Sequence, residues 1–551
     1  MASLSLSLYS QSTPSLFNST CKPLLPSESP ISLRKTPLHF LHSQNFGRNS
    51  SFRVSSSSPT ISSPKPTSSG VSPPVTETKV ARDGNEFDWF SNWYPIAPVC
   101  DLDKRVPHAS RVLGLDVVVW WDKAEGKWQV FDDKCPHRLA PLSEGRIDQW
   151  GRLQCVYHGW CFGGSGNCKL IPQSPPDGPQ VHTSRKACVA VYPSLEQNGI
   201  VWFWPNPDHQ LKDISSKKSP PFISELDDPS YTHLMGMRDM PYGYEVLIEN
   251  LMDPAHVPYA HRGLMRTSSN PRPVDREGGR PLDISILSQD ISGFLANQEF
   301  GYGKFIAPCI FYVSAFSGST NESISQEPAA DDHKPQRPAA DYHKPERLFL
   351  LIFVCIPVSP GRSRLIWSFP RNFSVWIDKL VPRWIFHLGQ NLILDSDLYL
   401  VHLEELKIME IGQSNWLKSC FVPTKSDALV IAFRNWLRKY CGGQIDWGTK
   451  FHGYLPPTPP KEQLMDRYWS HVVHCSSCRA ALKYLKALEI CLQTLSITLI
   501  GVVAAFWQSI PSTVARILLV SAAILSSLAS RWLADFIYKN FYFHDYNHAL
   551  I

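Results

Sequence analysis

The sequence predicts an α+β fold in three parts: an antiparallel β domain, a second domain that mixes strands with helices, and a C-terminal helical hairpin. Three observations predict it. Short β-branched and aromatic runs separated by polar turns fill the stretch from Val117 to Trp204. Strand-like runs at Phe349 to Val358 and Arg364 to Phe369 share the next region with helical stretches around His256 and after Asp397. Two long uncharged runs then close the chain. A length of 551 residues allows two or three domains, and 43% hydrophobic residues with 18 tryptophans supply a sizeable core. The formal charge of +5 is small for this length and comes largely from the leader, so it gives no case for nucleic acid as a partner.

Residues 1–80 form the leader. Residues 1–75 hold 22 serines, six Lys or Arg and a single acid, Glu28, and they lack the compact apolar run of a secretory signal. That composition describes an organelle transit peptide, with a plain disordered tail as the bland alternative. Fourteen cysteines in so long a chain do not make a disulfide scaffold, and a reducing plastid stroma would suit them.

Folding is expected to begin near Phe87-Asp88-Trp89-Phe90, with a first domain over 86–205. Val117 to Trp121 and Trp128 to Phe131 flank the polar turn Asp122 to Lys127, which reads as a hairpin. Two loops follow, Cys135-Pro136-His137 and Cys155-Val156-Tyr157-His158, spaced C-x-H and C-x2-H with seventeen residues between them. A Rieske [2Fe-2S] centre gives one iron two cysteines and the other two histidines, and this pattern supplies both pairs. A structural Cys2His2 zinc site is the alternative, but zinc fingers place like ligands together, whereas here the types alternate. Cys161 and Cys168 lie close by and read as packed or free thiols. The domain is expected to end near Ile200 to Trp204, and the Pro- and Lys-rich stretch Asn206 to Pro221 reads as a linker.

The second domain, 222–470, carries Glu249-Asn250-Leu251-Met252-Asp253-Pro254-Ala255-His256, with His261 five residues further on. Two imidazoles and one carboxylate on one face of an octahedron leave open positions for dioxygen and substrate, the facial arrangement of non-haem iron(II) oxygenases. A lone His pair is weak evidence for this and gains force from its neighbours. Two copies of nearly the same ten letters, Pro328 to Arg337 and Pro338 to Arg347, are too rich in proline and charge for anything but a solvated loop, so His333 and His343 receive no role.

Cys475-Ser476-Ser477-Cys478, in a segment 471–487, reads as a regulatory or redox dithiol rather than half of a metal site, since no second C-x2-C lies nearby. Thioredoxin would be its partner. Ile490 to Trp507 runs without a charge, and Ile517 to Ser530 is apolar between Arg516 and Arg531. With Ser509 to Ser512 as the turn they read as two transmembrane helices over 488–537, followed by a tail, 538–551; a buried soluble hairpin is the alternative. A hairpin leaves both ends of the chain on one side of the membrane.

Taken together, the cluster loops and the run Asn250, Asp253, His256, His261 resemble the Rieske non-haem iron oxygenases, whose signature joins such loops to N-x2-D-x2-H-x4-H and a distant aspartate. The resemblance implies a β-rich Rieske domain and a helix-grip, START-like catalytic domain. It implies that His256 and His261 bind mononuclear Fe(II), and that Asp253, with Asn250, serves the path of electrons from a cluster on Cys135, His137, Cys155 and His158. Asp397 best matches the third ligand, and Asp395 is its competitor. The leader, the C-x2-C pair, the terminal apolar pair and runs such as Tyr546-Asn547-His548-Ala549 are similar to the plant plastid group that holds pheophorbide a oxygenase and the Rieske proteins of the Tic translocon, its protochlorophyllide-dependent branch above all.

Within that group the resemblance implies ferredoxin as electron donor and a chlorophyll-related tetrapyrrole of the protochlorophyllide, chlorophyllide or pheophorbide class as substrate. The expected place is the plastid inner envelope, with the thylakoid membrane as the alternative and the iron domains on the stromal side. A redox-sensing or structural subunit among translocon subunits is the competing role, and a homotrimer is left open.

Overall fold

The structure, a computed structural model, describes residues 86–265, 279–299, 301–317, 347–448, 455–510 and 512–550. The leader and the tandem repeat up to residue 346 lie outside the described residues. In the first domain the expected hairpin forms from Leu115–Asp122 and Lys127–Asp132, paired antiparallel with Val119 opposite Val130. Its turn is tied by Asp122 Oδ1, which accepts the Ala124 N–H at 2.8 Å, and closed by Gly126 at φ 64°. Successive side chains of a strand point to opposite faces. Val118 and Trp120 therefore join the small core around Cys135 and Cys155, while Val117 and Val119 join the large core shared with the second domain. This explains the unbroken apolar run, since the strand is buried on both sides.

A second small sheet is made of four short strands, Arg146–Ile147, Leu153–Gln154, Cys161–Phe162 and Cys168–Leu170. Cys161 and Cys168 are buried within it. A third sheet places Ile200–Phe203 between Tyr94–Pro98 and Ser194–Gln197. The stretch read as a linker is anchored rather than loose. The Lys218 carbonyl accepts from Trp93 Nε1 at 2.6 Å, and the Pro221 carbonyl accepts from Gln197 Nε2 at 2.9 Å.

The second domain is built on a seven-stranded antiparallel sheet in the order Met235–Met240, Arg362–Ser368, Arg347–Ser359, Ile310–Ser317, Gly301–Ile306, Gly293–Gln298, Ser285–Asp290. Against it pack helices α1 (Tyr244–Met252), α2 (Arg383–Ile411) and α3 (Ala428–Cys441). The first folded residues dock on α3, where the Phe87 N–H donates to the Tyr440 carbonyl and the Phe87, Trp89 and Trp436 rings meet edge to face.

Helix α2 starts fifteen residues before Leu398, where the sequence placed its helical run. The early part is buried on two sides: His387 and Asn391 face the sheet, and Trp384 and Leu388 face the terminal hairpin. No single apolar stripe survives such double burial, so the helical period is masked.

The terminal hairpin consists of α4 (Ser476–Ala505) and α5 (Thr513–Phe541), packed against each other and tied by Ser496 Oγ, which donates to the Ala523 carbonyl at 2.8 Å. Both are long and apolar enough to cross a membrane, with mean hydropathy 1.9 and 1.7 in their most apolar stretches. Only 11% and 17% of those stretches are buried, so neither helix is a core helix of this chain. The segment 471–487 covers the end of a π-helical turn and the first turns of α4. A π-helical turn over Tyr468–Val472 leads directly into α4, because the Cys475 side chain caps it by accepting the Cys478 N–H.

Candidate metal centres

The two cluster loops share one backbone conformation. In the first, the Cys135 N–H donates to the Ala140 carbonyl and the Leu139 N–H to the Cys135 carbonyl; in the second, Cys155 pairs with Trp160 and Gly159 in the same way. The fifth residue of each loop, counted from its cysteine, is left-handed, Leu139 at φ 61° and Gly159 at φ 76°. A β-carbon is disfavoured there, so Leu139 holds a conformation that the loop imposes. Cys135 and Cys155 are 2% exposed, and burial beside the second thiol pushes Cys135 up to about 12.

The histidines face outward: His137 is exposed and His158 half-buried, with ring centroids 4.5 Å apart and His137 stacked on Trp160. Two sulfurs inside and two imidazoles outside form the donor set that a [2Fe-2S] cluster with an outward His-bound iron requires. The apolar residues Leu139, Val156 and Tyr157 stand exposed around them.

The second centre joins three side chains from two elements. His256 stands at the head of the short helix Val257–Ala260 that follows α1, His261 closes it, and Asp397 comes from the middle of α2. His256 Nε2 lies 3.2 Å from His261 Nε2 and 3.6 Å from Asp397 Oδ2, which is 3.4 Å from His261 Nε2. A point about 2 Å from all three atoms lies close to their plane, which is the bond length of a first-row divalent metal to imidazole and carboxylate.

The hydrogen bonds behind the ring fix its tautomer. Ser396 Oγ donates to the Ile393 carbonyl at 2.6 Å, so it accepts from His261 Nδ1–H at 2.7 Å, and His261 Nε2 is left as a bare lone pair aimed at the centre. Asp253 Oδ2 sits 3.6 Å from His256 Nδ1, and its Oδ1 accepts the Ala255 N–H. Burial works against a charge on His256, but Asp253 and Asp397 outweigh it and hold the imidazole at about 10. Burial lowers His261 instead. A cation bound among these donors would take the place of that proton.

Asp395 is directed elsewhere. Two residues along a helix point almost to opposite sides, and Asp395, 1% exposed, lies between Arg238 and Arg467, with Oδ1 2.7 Å from Arg238 Nη1 and Oδ2 2.7 Å from Arg467 Nε. Asn250 lies on the last turn of α1, where its carbonyl accepts the Asp253 N–H and so sets the turn into the His256 segment. Cys475 and Cys478 meet at the start of α4, both buried, in contact with His387 and His471.

Sequence reasoning gave no role to Ser396, to these two histidines, or to the tail residues Tyr546 and His548, which come near the centre: burial and then the Asp397 carboxylate raise Tyr546, and His548 adds to the lowering of His261. A serine one residue before the candidate ligand Asp397 was the available signal for the first. The tail run Tyr546 to Ala549 carries part of the family resemblance, but nothing in its spacing points to the site.

Comparison with known proteins places these centres in context. The family model of the Rieske [2Fe-2S] domain matches residues 92–193, and that of pheophorbide a oxygenase matches 305–415, the span that contains Asp397. Protochlorophyllide-dependent translocon component 52, chloroplastic, of Arabidopsis thaliana is 56% identical over 87% of this chain and 89% of its own length. Flavonoid 8-hydroxylase 2, chloroplastic, of Ocimum basilicum is 52% identical over 87% and 90%. Pheophorbide a oxygenase, chloroplastic, of Oryza sativa subsp. japonica is 35% identical over 87% and 88%.

Proposed function

From its membership of the Rieske non-haem iron oxygenase family that contains pheophorbide a oxygenase, we propose that this chain uses dioxygen and electrons from ferredoxin to oxidise a chlorophyll-related tetrapyrrole at a plastid membrane. It is a chloroplast enzyme with a Rieske [2Fe-2S] cluster and a mononuclear iron. When bound, the cluster relays single electrons and the iron supplies dioxygen activation.

The chain's own residues do the rest. Cys135 and Cys155 would hold the cluster from the buried side and His137 and His158 from the exposed side, where Leu139, Val156 and Tyr157 offer a docking rim for a small electron carrier. His256, His261 and Asp397 would hold the mononuclear iron by three donors, a set that leaves positions open for dioxygen chemistry. Ser396 keeps His261 in the ligating tautomer, and Asp253 steadies His256 and offers a carboxylate on the route between the centres.

The observation that carries the reading is the triangle of His256, His261 and Asp397, because an electron carrier or a structural subunit needs no three-donor face with open positions. The tetrapyrrole class rests on the family match over 305–415. A flavonoid substrate is the second reading, favoured by the 52% identical hydroxylase. A role as a translocon subunit follows from the name of the 56% identical relative and needs no turnover. The hairpin α4–α5 is read as the anchor, in the inner envelope, with the iron domains in the stroma.

The full chain in detergent, supplied with reduced ferredoxin, dioxygen and a panel of pheophorbide, chlorophyllide, protochlorophyllide and flavones, tests the choice by mass spectrometry. An oxygenated tetrapyrrole supports the proposal. An oxygenated flavone alone replaces its substrate, and no product from any of them with both centres loaded overturns it.

A further inference from the structure

Where α4 begins, two thiols and two imidazoles converge in the protein interior. His387, His471, Cys475 and Cys478 are 1–2% exposed, and one donor atom from each lies within 4.8 Å of the other three. Cys478 Sγ is 3.3 Å from His471 Nε2 and 3.4 Å from His387 Nδ1, and Cys475 Sγ is 3.5 Å from His387 Nδ1. The far side of each ring is engaged by a backbone carbonyl of the strand Met235–Met240. His387 Nε2–H donates to Met235 at 3.2 Å, and His471 Nδ1–H donates to Met237 at 2.6 Å. A neutral imidazole carries one ring proton, so both rings turn a bare lone pair toward the sulfurs. Carbonyl-oriented imidazoles of this kind are the usual support of metal-bound histidines.

We infer that His387, His471, Cys475 and Cys478 form a separate structural metal site that takes a four-coordinate divalent ion, zinc by its donor set. Tetrahedral zinc with bonds of about 2.3 Å to sulfur and about 2.0 Å to nitrogen sets sulfur and nitrogen about 3.5 Å apart, the spacing found here. Two thiolates neutralise the ion, and the neighbouring Arg383 is balanced by Asp101, so no net charge is buried. Cys475 also accepts the Cys478 N–H at the head of α4, where the helix dipole favours a thiolate.

The C-x2-C pair alone reads as a redox dithiol. The two imidazoles, one from α2 and one from the π-helical turn, change that reading, because zinc-held thiolates do not cycle through a disulfide. The site would pin the first helix of the membrane hairpin to α2, ten residues from Asp397 on the same helix.

The test is metal analysis of the full chain purified in detergent without added zinc and dialysed against EDTA. The inference predicts about one zinc per chain that survives dialysis, and native Cys475 and Cys478 that resist alkylation until a mercurial displaces the metal. In Cys478→Ser and His387→Ala zinc falls at least fivefold while the Rieske visible absorbance per chain is retained. Should either variant fail to fold, the wild-type chain decides alone. Full cluster absorbance with no retained zinc, ready native alkylation of both thiols, or a Cys475–Cys478 disulfide in the purified chain would each overturn the site.

Discussion

Replacing Ser396 by Ala should weaken iron binding although Ser396 is not a ligand. Its hydroxyl is committed to the Ile393 carbonyl as donor and to His261 Nδ1–H as acceptor, at 2.6 and 2.7 Å. His261 and Ser396 are 4% and 1% exposed, so no bulk water replaces the lost partner. A buried N–H left without an acceptor costs about 1–3 kcal/mol. The metal-free ring escapes that cost by moving its proton to Nε2, the atom that must ligate, and the cost then falls on metal binding. The expected loss is about 10- to 100-fold in iron affinity, the range for a lost partner behind a metal-bound histidine. Competition with a graded iron chelator on the full chain measures it, with Rieske absorbance as the internal standard for folded protein. Ser396→Thr keeps the hydroxyl and should recover most of the affinity. If Ser396→Ala binds iron within twofold of wild type, the tautomer argument fails.

The two neighbouring aspartates should separate cleanly. Asp395→Ala leaves Arg238 and Arg467 buried without their shared carboxylate and is expected to destabilise the fold by about 3–5 kcal/mol, read as a large drop in Tm, whereas Asp397→Ala should lose the mononuclear iron with a far smaller change in Tm. Asp253→Asn is expected to keep the iron and cluster content of the wild type but to slow reoxidation of the reduced cluster in single turnover; a wild-type rate would remove Asp253 from the electron route. Glu405 is pushed up to about 7 by burial, with Glu245 adding to it against the Gly243 N–H that it accepts. A carboxyl raised on folding contributes stability in full below about pH 4.5 and loses it as pH rises through about 7, a span worth about 3 kcal/mol. Glu405→Gln should flatten that part of the stability profile in denaturant titrations between pH 5 and 8, and an unchanged slope would contradict the assignment.

The cluster loops were legible because their four donors sit in two short segments whose order and spacing are set by the cluster itself. The hairpin Val117 to Phe131 was legible because its turn is polar and its strands are not. Asp397 was harder to place, since the fold brings it to His256 and His261 across more than a hundred residues of chain and a competing acid stands two positions away. What distinguishes the two acids is the helical phase of α2, and burial on both sides had hidden that helix from its hydrophobic period. The four-residue site at the head of α4 shows the same limit. Only Cys475 and Cys478 are close enough in sequence to form a motif, and the histidines arrive from a helix and a π-turn that no spacing rule connects to them.

The central claim is that electrons stored at the Cys135, His137, Cys155 and His158 loops are spent on dioxygen at the His256, His261 and Asp397 centre to oxidise a substrate. A single turnover of the fully reduced, iron-loaded chain with 18O2 and the substrate found in the panel tests it most directly, followed by cluster absorbance and product mass. The account predicts that the cluster oxidises in step with product carrying label from 18O2, and that His256→Ala abolishes both while its cluster remains intact. A cluster that stays reduced in the wild type, or a product without label, would contradict it.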